Sequence, residues 1–584
     1  MKIKFQHKIA IVVAFAGLQG VYAQKKDENI GTEVVNVVKP YTPTISDAFK
    51  VKETPIIEDA QDAPKEEIKY NIFSFPVAST FAPAKGKAAT VDKEARERLF
   101  NNYATFGVGN YGTVNAELFV TQELNDGQYI GGMLRHLSSQ GGIDDVIVDD
   151  KYYTTGLDLS YGSRQQNYTW NTDLGYQHQV YNWYGVPMDA PYYFDSATIH
   201  NIDAQQTYQT FYIGGKLATK DSFFHEVSAQ YKRFWDGFGS AENRFFIKPS
   251  FDVDVAETKV KIDFVADYVG GNFERDFETL ESFDYSNFNL GVQPSIQYQE
   301  GDIAVQLGAG VFYSMGKMYG GSDNKFFIYP QVKASYKLVG DLLVAYAGAE
   351  GSLKQNSYAD FVSANPFVSP TLNITPTNQQ YDLYVGIKGK VAEGVAFNLR
   401  GSYLSEDDKA FFVNNNVLGE GFNNDPQGYN FGNSFGVVYN KLKTVSFFGE
   451  LKADFSKNVR FGINGTYNSY STDLAEAWNL PEMKVGANLD VDITEKWYAG
   501  TNIFFVGERK DLELNGSFNP TLAPVVITLD NYFDLNAHVG YKYNERLTGF
   551  LKLNNITNQN YQRWINYEVQ GFQFLLGASY KFNF

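Results

Sequence analysis

Histidine is the commonest metal ligand and general base among side chains, so the six histidines are weighed first. His7, His136, His178, His200, His225 and His538 are scattered, with no ligand spacing between any pair. Gly107-Val108-Gly109-Asn110-Tyr111-Gly112 matches GxGxxG, but no strand-helix-strand context surrounds it. It falls where a first strand would meet a second, and it reads as a turn. Asp144, Asp145, Asp149 and Asp150 supply oxygens of the kind calcium takes, although a solvated acidic loop is the plainer reading. Trp183, Tyr184, Tyr192, Tyr193 and Phe194 crowd the segment 183–206. Rings of this kind stack on a sugar or seal an opening; the edge of an aromatic girdle is the simpler role. No nucleophile, base and orienting acid stand at a recognisable spacing. With no cysteine in 584 residues, disulfides, zinc–thiolate sites and iron–sulfur clusters are excluded. The residues predict a protein that is not an enzyme and has no catalytic residues, resident metal or cofactor.

The ends of the chain say where such a protein works. Lys2, Lys4 and Lys8 precede an apolar run from Ile9 to Val21, and Val21-Tyr22-Ala23 offers a small residue for cleavage. Residues 1–23 therefore read as an export signal, removed before Gln24. No later window approaches the roughly 20 apolar residues of a membrane helix. At the other end, Phe574, Leu576, Ala578, Tyr580, Phe582 and Phe584 alternate with Gln573, Leu575, Gly577, Ser579, Lys581 and Asn583. This is a period-two strand with one apolar face and a terminal aromatic. Tyr580, Phe582 and Phe584 have the form of the C-terminal signal by which outer-membrane barrels are inserted.

The elements between these ends repeat the same period from about residue 98 onward. Val260, Ile262, Phe264, Ala266 and Tyr268 alternate with Lys259, Lys261, Asp263, Val265 and Asp267. One face suits lipid, and the other carries charges that only water or protein tolerates. The same alternation places Val485, Leu489, Phe533, Leu535 and Phe574 toward lipid, and Lys484, Asp490 and Lys581 toward a lumen. Aromatics make up 16% of the chain, with 41 Tyr and 47 Phe, as barrel girdles require. A net charge of −17 with no basic stripe excludes nucleic acid as a partner.

Tight turns are expected at Gln299–Asp302, Leu338–Asp341, Ala392–Gly394, Ser456–Asn458, Thr494–Lys496 and Asn544–Arg546. Longer loops are expected at Gly270–Tyr285, Ser314–Lys325, Ser357–Gln379, Ser405–Tyr429, Asn468–Pro481, Glu508–Ala523 and Gln559–Gln570. The fold class is all-β: a transmembrane antiparallel β-barrel of about 22 strands over 98–584, in a Gram-negative outer membrane. Residues 24–97 are rich in Pro and charge and have no period, so they read as an extended periplasmic or luminal segment. Within it, 66–97 is expected in or beneath the lumen, where it would occlude a pore too wide for side chains to fill.

Residues 529–584 resemble the closing strands of TonB-dependent receptors, through Asn531-Tyr532-Phe533-Asp534-Leu535, Asn554-Asn555-Ile556-Thr557-Asn558, Tyr561 and Trp564. The stretch Thr32, Glu33, Val34, Val35, Asn36, Val37, Val38 is similar to that family's TonB box, which an energising partner captures by strand addition. The resemblance implies a barrel of about this size, the barrel-assembly machinery and outer-membrane lipid as partners, and TonB or another periplasmic or outer-membrane protein. It also implies a plug domain, for which 24–97 is too short and irregular, so the chain reads as a plugless relative. Two functions stay open: a receptor that admits or binds an unidentified solute, with Trp183, Tyr184, Tyr192 and Tyr193 as loop contacts, or a non-transporting scaffold of an envelope assembly.

Overall fold

The computed structural model describes residues 99–584 apart from 188–195, 221, 256–257, 278, 418–426 and 514–524. The signal peptide, the segment 24–97 and the box-like Thr32–Val38 therefore lie outside the described residues, as do Tyr192 and Tyr193. Among the described residues, 22 antiparallel strands form one closed sheet. The first, Asn102–Gly109, pairs with the last, Gln573–Phe582, running from Asn102 opposite Phe582 to Gly109 opposite Leu575. Closure removes the open edge, which a sheet surrounded by hydrocarbon cannot leave unpaired. The all-β barrel of about 22 strands expected from the period-two pattern is the fold observed.

The two ends of the barrel differ sharply. At one end the ten connections run two to four residues, and both the first strand's start and the last strand's end lie there. At the other end seven of the eleven connections have ten residues or more, the longest spanning 507–531. The six expected tight turns all fall at the first end. One expected loop does not exist: strands Ile303–Met318 and Gly321–Val339 continue to a two-residue turn instead of leaving a long connection over Ser314–Lys325. Tyr319 and Gly320 both take positive φ (47° and 73°), as a tight hairpin turn requires. The apolar alternation stops at Ser314 because the hairpin rises past the lipid belt, where both faces meet water or protein. The backbone ladder continues regardless, with Lys317 opposite Ser322 and Gly316 opposite Asp323. For the same reason the connections expected at Gly270–Tyr285 and Ser405–Tyr429 shrink to 274–282 and shift to 415–434. A belt about 25 Å tall needs only about ten residues of tilted strand, whereas Phe435–Ser456 has 22.

Cross-strand register resolves the two faces. Phe264 stands opposite Val292, Val292 opposite Val311, and Val311 opposite Ile328. One pleat along, Ala266, Leu290, Tyr313 and Phe326 form a second row. Most of these side chains are exposed although apolar, which a water-facing surface would not tolerate and a lipid-facing one needs. Phe533, Val485 and Phe505 make a similar row, with the rings of Phe505 and Phe533 4.7 Å apart. The opposite face carries the charges. Asp263 accepts from Ser250 Oγ at 2.5 Å and pairs with Lys248 and Lys261, while Asp267 holds Arg244 through two contacts of 2.9 and 2.7 Å. The expected orientation of Lys261, Asp263 and Phe264 is the one found.

Candidate functional site: the roofed mouth of the barrel

The long connections fold over the barrel mouth and onto one another. The connection 355–376 contributes a helix, Tyr358–Ala364, whose first turn is fixed at several points. Ser357 Oγ accepts from the Asp360 amide at 3.0 Å, a serine N-cap. Glu242, buried in the wall, accepts from the Tyr358 and Ala359 amides at 2.6 and 3.2 Å and from the Tyr285 hydroxyl at 2.6 Å. A carboxylate at this position satisfies orphan amides and complements the helix dipole. The Tyr358 hydroxyl donates to Asp236 at 2.8 Å, and Asp236 also accepts from the Phe238 and Ser240 amides at 2.9 Å. These groups flank the outer turn 237–240, beyond the lipid belt. Burial pushes the Asp236 carboxyl up to about 6 despite these donors, and raises Glu242 as well.

Below and beside the helix the connections share one apolar core. Tyr208, Phe234, Phe273, Tyr285 and Phe435 rise from the wall; Tyr358, Phe361, Val362, Val368, Leu372 and Ile374 come down from 355–376; Leu529, Ile565 and Tyr567 come from two later connections. Tyr567 lies near the centre, in the short hairpin Gln562–Trp564/Tyr567–Glu568. Its ring stacks on Phe367 with centroids 3.7 Å apart, meets Tyr184 edge-on at 4.8 Å, and donates its hydroxyl to the Asn433 carbonyl. Burial holds that hydroxyl well above the ordinary phenol range, so it acts as a donor. Polar cross-links bind the same segments: Asn433 Nδ2 to the Trp183 carbonyl (2.7 Å), Tyr184 hydroxyl to the Glu568 carbonyl (2.7 Å), Tyr208 hydroxyl to the Pro366 carbonyl (2.9 Å). Gln570 reaches Ser139 Oγ and the Gly141 carbonyl, both at 2.7 Å.

Of the loop aromatics expected to contact a ligand, Trp183 and Tyr184 belong to this roof. Trp183 is 1% exposed and packs against Phe238 and Tyr429, with centroids 5.4 Å away in each case. The rings of both residues make their contacts with protein groups of the roof. Tyr580 and Phe582 stack in the closing strand, and Phe584 meets Phe582 edge-on. GxGxxG is the turn between the first two strands, with Gly112 at φ 61°. Asp150 is used inside its own loop, accepting from the Ile143 amide at 2.7 Å, and Asp149 pairs with Lys151. His136 and His178 contact Thr155 and Tyr153 across strands. Among the described residues no group of three metal-binding side chains occurs.

The sequence reading missed the roof's anchors: Asp236, Glu242, Tyr358 and Tyr567. A signal existed. Connections such as 355–376 hold Phe361, Val362, Phe367, Val368, Leu372 and Ile374 without strand period, more apolar surface than a solvated loop carries.

A closed 22-stranded barrel with short turns at one end and long, folded connections at the other defines the class: it is the barrel fold of the large outer-membrane receptors. The chain is similar to the ferripyoverdine receptor of the outer membrane of Pseudomonas aeruginosa, with 13% identity over 84% of this chain and 72% of that one, TM-score 0.60. It is also similar to the ferric-catecholate import receptor Fiu of Escherichia coli K12 (10% identity, 83% and 82% covered, TM-score 0.60). The FrpB iron transporter of Neisseria meningitidis matches at 11% identity, with 83% and 82% covered and TM-score 0.61. At such identities the likeness is one of fold. No family model matches the chain, and no curated protein matches it.

Proposed function

We propose that this chain is an outer-membrane receptor or transport barrel, resembling TonB-dependent receptors, that binds or admits a solute from outside the cell. The observation that carries this reading is the asymmetry of the barrel: a wall of receptor size, with bare turns at one end and interlocked long connections at the other. A wall of 22 strands encloses a lumen wider than its own side chains fill, which suits passage or capture of something bulky. On this reading residues 1–23 are removed as an export signal and the segment 24–97 replaces a folded plug. Thr32–Val38 is offered there to TonB or a similar partner. No catalytic role is assigned.

A second reading is favoured by the roof itself. Cross-linked connections suit a barrel that stays shut and serves as a subunit of an envelope assembly. One deletion separates the two. Cells expressing the chain without Thr32–Val38 are compared with wild type for depletion of solutes from the medium and for proteins co-purifying with the barrel. Loss of uptake of one solute, matching loss of the energising partner, supports the receptor. Unchanged uptake with loss of a co-purifying complex supports the scaffold and overturns the first reading.

A further inference from the structure

Two arginines facing the inside of the barrel are matched to carboxylates: Arg244 with Asp267 and Asp360, Arg400 with Asp382, each at 3.0 Å or less. Arg509, at the base of the hairpin Arg509–Glu513/Val525–Leu529, differs from them. It is 5% exposed and makes no ion pair among the described residues. Its Nη2 donates to the Gln562 carbonyl at 2.5 Å, while Nε and Nη1 are buried without a hydrogen-bond partner. An unmatched guanidinium donor held away from water is costly, because each such group forfeits its solvation.

The surroundings are built around that guanidinium. Its Cζ lies 5.1 Å from the centroid of the Tyr532 ring, and Tyr532 stacks on Tyr561 with centroids 3.9 Å apart and planes within 3°. The Tyr561 hydroxyl donates to Asp534 at 3.2 Å. Two more cations stand within electrostatic reach of Arg509: Arg563, adjacent in sequence to Gln562, and Lys484, at the mouth end of its strand. Against these three positive groups stand Asp511 and Asp534, and burial shifts Asp511 toward its neutral form. The orphaned Arg509 donors, with two further cations nearby, favour an anion that would take them up.

We infer that this corner, where the strands Met483–Asp492, Trp497–Val506 and Tyr532–Lys542 reach the mouth, binds a free oxyanion, a phosphate or a small carboxylate. Arg509 is the principal donor, Arg563 and Lys484 supply long-range attraction, and the Tyr532–Tyr561 pair forms the wall against which the guanidinium is held. Guanidinium suits this task because its donors are planar, fixed and always charged. The inference rests on the receptor reading and gives that reading a ligand class.

The test is direct binding by the full-length, detergent-solubilised barrel, which separates its failure from any failure of uptake. Inorganic phosphate and citrate are titrated separately, at constant chloride, into wild type and Arg509→Gln, with heat-modifiable gel migration as the check on folding. Saturable binding of one of the two ions is expected at one site per chain, weakened about ten-fold or more in Arg509→Gln. Lys496→Gln, at an exposed turn of the opposite end, is expected to bind like wild type. Phosphate binding without citrate binding marks a phosphate site, and the reverse marks a carboxylate site. If Arg509→Gln does not fold, Arg563→Gln and Lys484→Gln take its place, each expected to weaken binding several-fold. No saturable binding of either ion, or unchanged binding in the folded variants, overturns the inference.

Discussion

Replacing Tyr567 by alanine should loosen the roof while leaving the wall intact. Tyr567 is 1% exposed, and its ring contacts Phe367, Tyr184 and Phe435 at centroid distances of 3.7, 4.8 and 6.0 Å. Its ring also lies on the backbone of Gly185 so closely that a methyl there would sit 2.4 Å from it. Removing a buried aromatic of this kind costs about 4 kcal/mol, lost transfer free energy plus the cavity left behind. The cost falls mainly on the interlocked connections, because of these contacts only Phe435, the first residue of its strand, belongs to the barrel ladder. At about 1.4 kcal/mol per factor of ten, the open roof becomes about a thousand-fold more populated. Native-state hydrogen exchange reads this directly through the amides of Ser369 and Phe435, which tie the connection 355–376 to the first residue of the strand Phe435–Ser456 at 2.9 and 3.0 Å. Tyr567→Phe keeps the ring and loses only the bond to Asn433, so it should accelerate the same amides by only about ten-fold. The reasoning is refuted if Tyr567→Ala leaves those amides as protected as in wild type, or if the wall strands lose protection equally.

Three further outcomes follow from the same geometry. Asp236 and Asp511 have carboxyls raised to about 6 in the folded roof, above their unfolded values. Their contribution is therefore complete below about pH 4 and is lost as pH rises through about 6, by at most about 3 kcal/mol each. Roof protection, corrected for intrinsic exchange, should fall from pH 4.5 to 7.5, and Asp511→Asn should flatten part of that slope; protection that rises with pH contradicts the burial argument. On the lipid face, Val292→Arg should cost about 2–4 kcal/mol in folding into vesicles, whereas Lys261→Gln on the inner face should cost far less; equal costs would mean the faces are exchanged. Deleting Tyr580–Phe584 removes the insertion signal and the pairs Ala104–Tyr580 and Asn102–Phe582, so little heat-modifiable barrel should reach the outer membrane; normal levels would dismiss the signal.

The wall was legible in the sequence because its physics is periodic. A strand between lipid and lumen must alternate, and Val260 to Tyr268 does so against Lys259 to Asp267, with Val265 the one apolar residue on the inner face. The tight turns were legible because Gly301, Gly340 and Gly394 take positive φ between alternating runs. Legibility ended where lipid ended. Above the belt a strand can carry any side chain its neighbours accept, so Ser314 to Lys325 reads as loop although its backbone is paired almost to the turn. The roof was hidden for a different reason. Its contacts join residues far apart in the chain, such as Tyr184 with Glu568 and Trp183 with Asn433, and no local pattern encodes them. Arg509 is hidden in the same way: only the fold puts it over Tyr532 and beside Arg563.

A closed roof on a receptor-sized barrel constrains how any solute could pass. Moving an equilibrium from 1:99 to 99:1 takes about 5.5 kcal/mol of differential affinity, and the roof core alone joins fifteen buried side chains, nine from the connections and six from the wall. A solute bound from outside cannot pull all of them apart unless it replaces most of their contacts. Passage therefore needs either work applied from the periplasmic side or the opening of one element that the core holds weakly.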